Sequence, residues 1–225
     1  MKVLGIDACR QGWVGIELDD DRRVRAYAAA RFDALVQQAS DGALVAVDIP
    51  VGLSERRVRA ADLAARQAIG GRWASVFVTP VRQAVEAPTY AEASAVNRRI
   101  TGAGISRQAW ALSAKLIEVE QWRVDSGRQP WEVHPEVVFA VLAGRTLQSS
   151  KKTWAGQHER QRLLASAGIL IPVDLGPAGT AAGADDVLDA AAVAWTARRI
   201  AAGTARSLPE PPEQDYLGRP MAIWV

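Results

Sequence analysis

The chain has 225 residues, of which 49% are hydrophobic and 23% charged, which is ordinary for one globular domain or a domain with an insertion. Its net charge of +2 neither requires nor excludes a nucleic-acid partner. Cys9 is the single cysteine, so an intrachain disulfide is excluded and a cytoplasmic setting is expected. No apolar run reaches the ~20 residues that span a membrane, so no membrane partner is expected.

The first 30 residues predict an antiparallel β-meander. An apolar run ends at Asp7, a polar turn follows, and a second apolar run begins at Val14. Residues 24–30 fit a third strand, and a helix is predicted from about 31 to 39. Asp7 is either a turn residue that bonds its own backbone or a member of a site.

Residues 43–47 predict a buried strand that ends at Asp48. An uninterrupted apolar run is typical of a strand covered on both faces, and its place after a helix favours parallel pairing with the first strand. Sites in open α/β sheets form at the carboxyl ends of parallel strands, so Asp7 and Asp48 are expected side by side. Because close carboxylates repel unless a cation or a shared proton intervenes, this pairing indicates a site.

Residues from about 54 to 128 are mostly helical in pattern and include one long predicted helix from Gln108 to Val124. A short strand is predicted to end at His134, because Pro135 stops further pairing. His134 and Glu136 fit metal ligands or general-base groups. Glu136 fits equally well as an acidic residue in the first turn of the next helix.

Lys151 and Lys152 precede a predicted helix that runs through Arg160. Basic residues at a helix start oppose the helix dipole, which indicates either an anionic ligand or a solvated surface.

Three aspartates open a later, alanine-rich helix. Asp185 is an acidic residue in the first turn, where it suits both the helix dipole and the cap, whereas Asp186 and Asp189 are three residues apart and share a face. Asp189 lies among apolar residues, and a buried carboxylate needs a partner such as a metal shared with Asp7 and Asp48. Beyond this helix, residues 208–212 are interpreted as a proline-rich linker and 221–225 as an edge strand.

This succession of elements resembles the ribonuclease H-like superfamily, in which Holliday-junction resolvases and their relatives carry a similar late acidic pair. More closely, the chain resembles family 429 of the domains of unknown function, described as predicted nucleases of this fold. The matching residues lie in order along nearly the whole chain: Gly5, Asp7, Cys9, Arg10, Gly12 and Trp13; Val47 to Pro50 with Gly52 and Leu53; Arg66; Ser75 to Phe77; Thr101 and Gly102 with Gln108; Val133 to Glu136; Lys151 to Thr153 with Gly156; and Asp185, Asp186, Leu188, Asp189 and Ala190.

The resemblance implies a single ribonuclease H-like α/β domain over residues 1–225. Its mixed sheet would join an antiparallel meander to parallel strands, flanked by helices and carrying a mostly helical insertion at about 54–128. The long insertion departs from a minimal domain of this type.

The resemblance also implies a nuclease that hydrolyses phosphodiester bonds with two Mg²⁺ or Mn²⁺ ions roughly 4 Å apart. Asp7 would bridge both ions, Asp48 would hold one, and Asp186 with Asp189 the other. Glu136 would join these aspartates as a catalytic residue. The substrate, DNA or RNA, would contact five residues: Arg10, His134, Lys151, Lys152 and Arg160.

Two other functions fit the same sequence. A binding module for nucleic acid or another ligand could retain the fold without catalysis, although four aspartates at the ends of strands and helices argue against it. An actin-like or sugar-kinase-like phosphotransferase shares an early Gly-x-Asp turn, but such enzymes pair two domains of this kind. A homodimer would be needed to pair them here.

Overall fold

The computed structural model describes residues 1–21 and 23–225. These residues divide into two compact units. The first comprises Met1–Ile49, Gln129–Arg206 and Trp224–Val225, and the second comprises Pro50–Arg128 and Ser207–Ile223. The insertion predicted at about 54–128 falls inside the second unit. That residues 1–225 act as a single domain stays a prediction.

A mixed sheet of five strands, in the order β3-β2-β1-β4-β5, forms the centre of the first unit. Strand β1 pairs antiparallel with β2, and β2 with β3, whereas β4 pairs parallel with both β1 and β5. The predicted meander joined to parallel strands is therefore confirmed, and the sheet is consistent with a ribonuclease H-like fold. The strands are β1 Val3–Cys9, β2 Gly12–Leu18, β3 Val24–Ala29, β4 Leu44–Val47 and β5 Trp131–Glu132.

Helices flank this sheet, as predicted. Helix α10 packs against β1, β2 and β4, whereas α1 packs against β2 and β3, and α7 and α8 pack against α10. The first unit contains α1 Phe32–Gln38, α7 Pro135–Ala143, α8 Trp154–Ser166, α9 Pro177–Ala181 and α10 Ala184–Ala201.

Gly5 in β1 allows α10 to approach the sheet closely. A Cβ atom at Gly5 would collide with the backbone of Ala190 and Ala194 in α10. Side chains alternate between the faces of a strand, so Asp7 lies on the same face as Gly5. This contact therefore fixes α10 over the face of β1 that carries Asp7.

The opposite face of the sheet is covered by α1. The ring of Trp13 packs edge-on against Phe32, with 5.1 Å between ring centroids. A Cβ atom at Gly15 would meet the side chain of Leu35. The sheet is thus buried on both faces, which explains the near-continuous apolar sequence of its central strands.

The second unit is mostly helical but also holds a two-stranded sheet of β6 and β7. The predicted linker at 208–212 is wrong, because these residues lie in β6. Proline is tolerated there since both strands of a two-stranded sheet are edges. The strand predicted at 221–225 is confirmed as β7. The elements are α2 Ala60–Ile69, a 3₁₀ helix Gly70–Ser75, α3 Arg82–Val85, α4 Tyr90–Thr101, α5 Arg107–Ala111, α6 Ser113–Ser126, β6 Ser207–Gln214 and β7 Pro220–Trp224.

The single helix predicted from Gln108 to Val124 is also wrong, since α5 ends at Ala111 and α6 begins at Ser113, with Leu112 between them. The Leu112 amide donates to the carbonyl of Ala109, 3.3 Å away. A bond to the third preceding residue tightens the turn at this point and ends the regular α-helical pattern.

Candidate metal centre

Two neighbouring parallel strands bring Asp7 and Asp48 together. Gly5 pairs with Ala46 and Ile6 with Val47, and the Asp48 amide donates to the Ile6 carbonyl at 2.8 Å. This register sets Asp48, directly after β4, beside Asp7 near the end of β1. The expectation that these two carboxylates lie side by side is met.

Helix α10 adds a third carboxylate from above the sheet. Asp189 follows one turn after the start of α10, on the part of the helix that packs against β1. One carboxylate oxygen from each of Asp7, Asp48 and Asp189 lies within 4.8 Å of the others. Asp7 is 5% exposed and Asp189 only 2%, so three acidic groups from distant parts of the sequence meet in a largely buried place.

Asp186 does not belong to this group of three carboxylates. It is the third residue of α10, and its carboxylate accepts a hydrogen bond at 3.1 Å from the amide of Gly183, the residue before the helix. This is the reciprocal half of a capping box, which needs an acceptor at that position. The structure thus gives Asp186 the capping position that the sequence assigned to Asp185.

Asp185 instead pairs with the two lysines before α8. Its carboxylate lies 2.6 Å from the Lys152 ammonium and 3.9 Å from that of Lys151. Lys151 also donates a hydrogen bond to Asp189. The sequence analysis did not identify Asp185 as a partner of the lysines. The available signal was that two lysines precede one helix and two aspartates begin another, so that the opposite charges could pair.

Glu136 is held by a buried arginine. The Arg160 guanidinium donates to the Glu136 carboxylate at 2.6 Å, and to the carbonyls of Ser149 and Gly156 at 3.2 and 3.0 Å. Arg160 is 0% exposed and also lies over the Phe139 ring. The structure therefore places Arg160, predicted to contact substrate, inside the unit, where it orients Glu136.

His134 and Arg10 lie outside the group of carboxylates. His134 precedes α7 in an extended conformation, and its carbonyl accepts from the amides of Val137 and Val138. Arg10 is exposed in the turn between β1 and β2. Contact of either residue with substrate stays a prediction.

Burial and mutual repulsion strongly affect the ionisation of the three carboxylates. Burial, reinforced by the neighbouring charges, raises the pKa values of Asp7 and Asp48 well above the ordinary range. Burial also raises the pKa of Asp189 to about 6, although Lys151 acts to lower it. Burial acts against the protonated form of Lys151, but the charges of Asp189, Asp7 and Asp48 outweigh it and raise that pKa.

This donor set fits a hard divalent cation. Mg²⁺ and Mn²⁺ prefer carboxylate oxygens, and three such groups on separate elements can converge on one ion. A cation would also favour the ionised carboxylates, whose pKa values are raised by burial and by neighbouring negative charges. Asp7, Asp48 and Asp189 are therefore the residues that could hold a metal here.

Residues 5–214 match a protein family described as "Protein of unknown function (DUF429)", and the chain belongs to this family. No curated protein and no solved structure gives a match. In the part of the chain that the structure describes, no helix has both the length and the apolar character needed to cross a membrane.

Proposed function

We propose that this member of the DUF429 family is a metal-dependent nuclease that hydrolyses phosphodiester bonds in DNA or RNA. The observation that carries the proposal is the convergence of Asp7, Asp48 and Asp189, whose carboxylate oxygens lie within 4.8 Å of one another. A divalent cation would stabilise such a cluster, and lysines beside it offer contacts to an anionic substrate.

Asp7, Asp48 and Asp189 would hold Mg²⁺ or Mn²⁺. When bound, the metal would supply an activated water and stabilise the leaving oxygen, as in two-metal hydrolysis. The strand pairing and the close contact at Gly5 keep the three carboxylates in fixed relative positions before any ligand arrives. Little free energy is then spent on ordering these side chains when substrate binds.

Lys151 and Lys152 would contact a substrate phosphate in different ways. The Lys151 ammonium bonds to Asp189, so it would be released towards a substrate phosphate as the carboxylates are neutralised. Lys152 is already largely exposed and would contact phosphate by charge alone.

Glu136 lies close enough to Asp48 and Asp189 to raise the pKa values of both, after the larger effect of burial. Because Arg160 holds the Glu136 carboxylate, this group would orient water or a metal ligand from a fixed position.

The test is cleavage of a panel of single-stranded, duplex and branched DNA and RNA with Mg²⁺, with Mn²⁺ and with EDTA. Cleavage should require the metal, and both Asp7→Asn and Asp189→Asn should abolish it, since they remove charge but keep shape. Asp41→Asn, at an exposed carboxylate, is the matched control and should cleave normally. Absence of metal-dependent cleavage across the panel would favour a binding module instead.

A further inference from the structure

An exposed aromatic pair lies at the start of α8, directly after the two lysines. Trp154 is the first residue of α8 and is 83% exposed. Its ring is parallel to that of His158 within 10°, with 6.1 Å between ring centroids. Gly156, Arg160 and Leu164 form the buried side of the helix, whereas Trp154 and His158 are both exposed to solvent.

We infer that Trp154 stacks on an unpaired nucleobase of a single-stranded nucleic acid, close to the phosphate that Lys151 and Lys152 would contact. This inference rests on the proposed function and specifies its substrate. Proteins that bind single strands combine a basic track for the backbone with aromatic side chains for the bases. Inside a duplex both faces of a base are covered by its neighbours, so a base within a strand can stack on such a ring only when it is unpaired.

The short segment between the lysines and the tryptophan is fixed by hydrogen bonds. Thr153 donates from its amide and its hydroxyl to the Ser150 carbonyl, at 3.0 and 2.8 Å, and its hydroxyl accepts from the Gly156 amide at 3.1 Å. Three residue steps limit the Cα separation of Lys151 and Trp154 to about 11 Å. The positive charges and the indole ring are therefore preorganised within reach of one short stretch of a strand.

The ion pairs of the lysines orient this segment towards the carboxylates. Lys151 bonds to Asp189, and Lys152 lies 2.6 Å from Asp185. A strand whose phosphate reaches the metal centre would thus pass the start of α8. Because every base has an aromatic face, stacking on Trp154 would tolerate any sequence.

The experiment measures equilibrium binding of end-labelled strands to the full chain by fluorescence anisotropy. The probes are oligothymidylate, oligouridylate and an abasic deoxyribose-phosphate strand of equal length and charge. Ca²⁺ is present to neutralise the carboxylates, and strand integrity is checked on a gel. The variants are Trp154→Ala, Trp154→Phe and, as matched control, Trp73→Ala, which removes a tryptophan that is 56% exposed in the second unit.

The wild type should bind the base-bearing strands about tenfold more tightly than the abasic strand. Trp154→Ala should lose this preference while keeping the salt dependence of binding, whereas Trp154→Phe and Trp73→Ala should keep the preference. The relative affinities of the thymidylate and uridylate strands would distinguish DNA from RNA as the source of the base.

An unchanged base preference in Trp154→Ala would overturn the inference, as would equal binding of all strands or binding of none. Metal-dependent cleavage without a base preference would refute the stacking site and leave the proposed function standing. A base preference that depends on Trp154, found without any cleavage, would refute the nuclease and retain the stacking site.

Discussion

The ammonium group of Lys151 donates a hydrogen bond to the carboxylate of Asp189. The charges of Asp189, Asp7 and Asp48 together raise the pKa of this lysine, although burial opposes them. Without metal, Lys151 therefore supplies a positive charge that offsets the repulsion among the three close carboxylates. A divalent cation bound by the same carboxylates would take over this role and compete with Lys151 for Asp189.

Lys151→Met should destabilise the metal-free protein and increase its response to metal. We expect a loss of about 1–2 kcal/mol in the free energy of unfolding, less than for a fully buried pair because one third of the Lys151 side chain is exposed. The melting temperature should then rise more with Mn²⁺ than it does in the wild type. Lys152→Met is the matched control and should change both quantities less. Equal behaviour of the two variants would contradict a special role for Lys151.

The stability of the metal-free protein should fall as pH rises from about 4 to 6. The pKa of Asp189 is about 6 in the folded chain, above the ordinary value of an aspartate, so the folded state binds more protons than the unfolded state in this range. Protonated Asp189 therefore stabilises the folded state at low pH, and this stabilisation is lost as Asp189 ionises. Thermal melts in EDTA should show this decline in the wild type and in Asp41→Asn. The decline should be weaker in Asp189→Asn, and an identical pH profile for all three proteins would refute the prediction.

Asp186 and Asp189 should respond differently to substitution. Asp186→Ala removes the acceptor for the Gly183 amide and should cost about 1 kcal/mol of stability, while the response to Mn²⁺ persists. Asp186→Asn retains an acceptor and should cost less. Asp189→Asn should remove most of the Mn²⁺-induced rise in melting temperature. If Asp186→Asn removed that rise as well, Asp186 would be the fourth metal ligand that the sequence predicts.

Arg160 and Glu136 should behave as one buried unit. Arg160→Met leaves the Glu136 carboxylate without its charged partner and should cost about 3 kcal/mol in urea unfolding. Glu136→Gln keeps an oxygen that can accept from Arg160 and should cost less. The double variant Arg160→Met with Glu136→Met should be more stable than Arg160→Met alone. Additive losses would show that the two side chains act independently.

The sheet and two of its carboxylates were predictable because apolar runs, and the residues that end them, can be recognised in short stretches of sequence. An apolar run that ends at Asp7, and another that ends at Asp48, specify neighbouring strand ends once parallel pairing is assumed. Asp189 was predictable because a carboxylate amid buried alanines needs a partner. These inferences required no knowledge of side-chain geometry.

The cap of α10, the burial of Arg160 and the strand β6 could not be predicted, because the sequence is compatible with more than one arrangement at each of them. Asp185 and Asp186 both suit a first helical turn, and only the position of Gly183 directly before the helix decides which of them caps it. Arg160 looks like a surface cation until Glu136 and Phe139 are seen to enclose it. The prolines of β6 suggest a linker, since a strand signal at an edge is weak.

The most direct test of the central claim is the anomalous scattering of a crystal soaked in Mn²⁺. We expect a peak between Asp7, Asp48 and Asp189, with carboxylate oxygens at roughly 2.1 Å from the ion. Lys151 should then have moved away from Asp189. A well-ordered site at saturating Mn²⁺ that shows no peak, with Lys151 still bonded to Asp189, would contradict the claim that these three carboxylates form a metal centre.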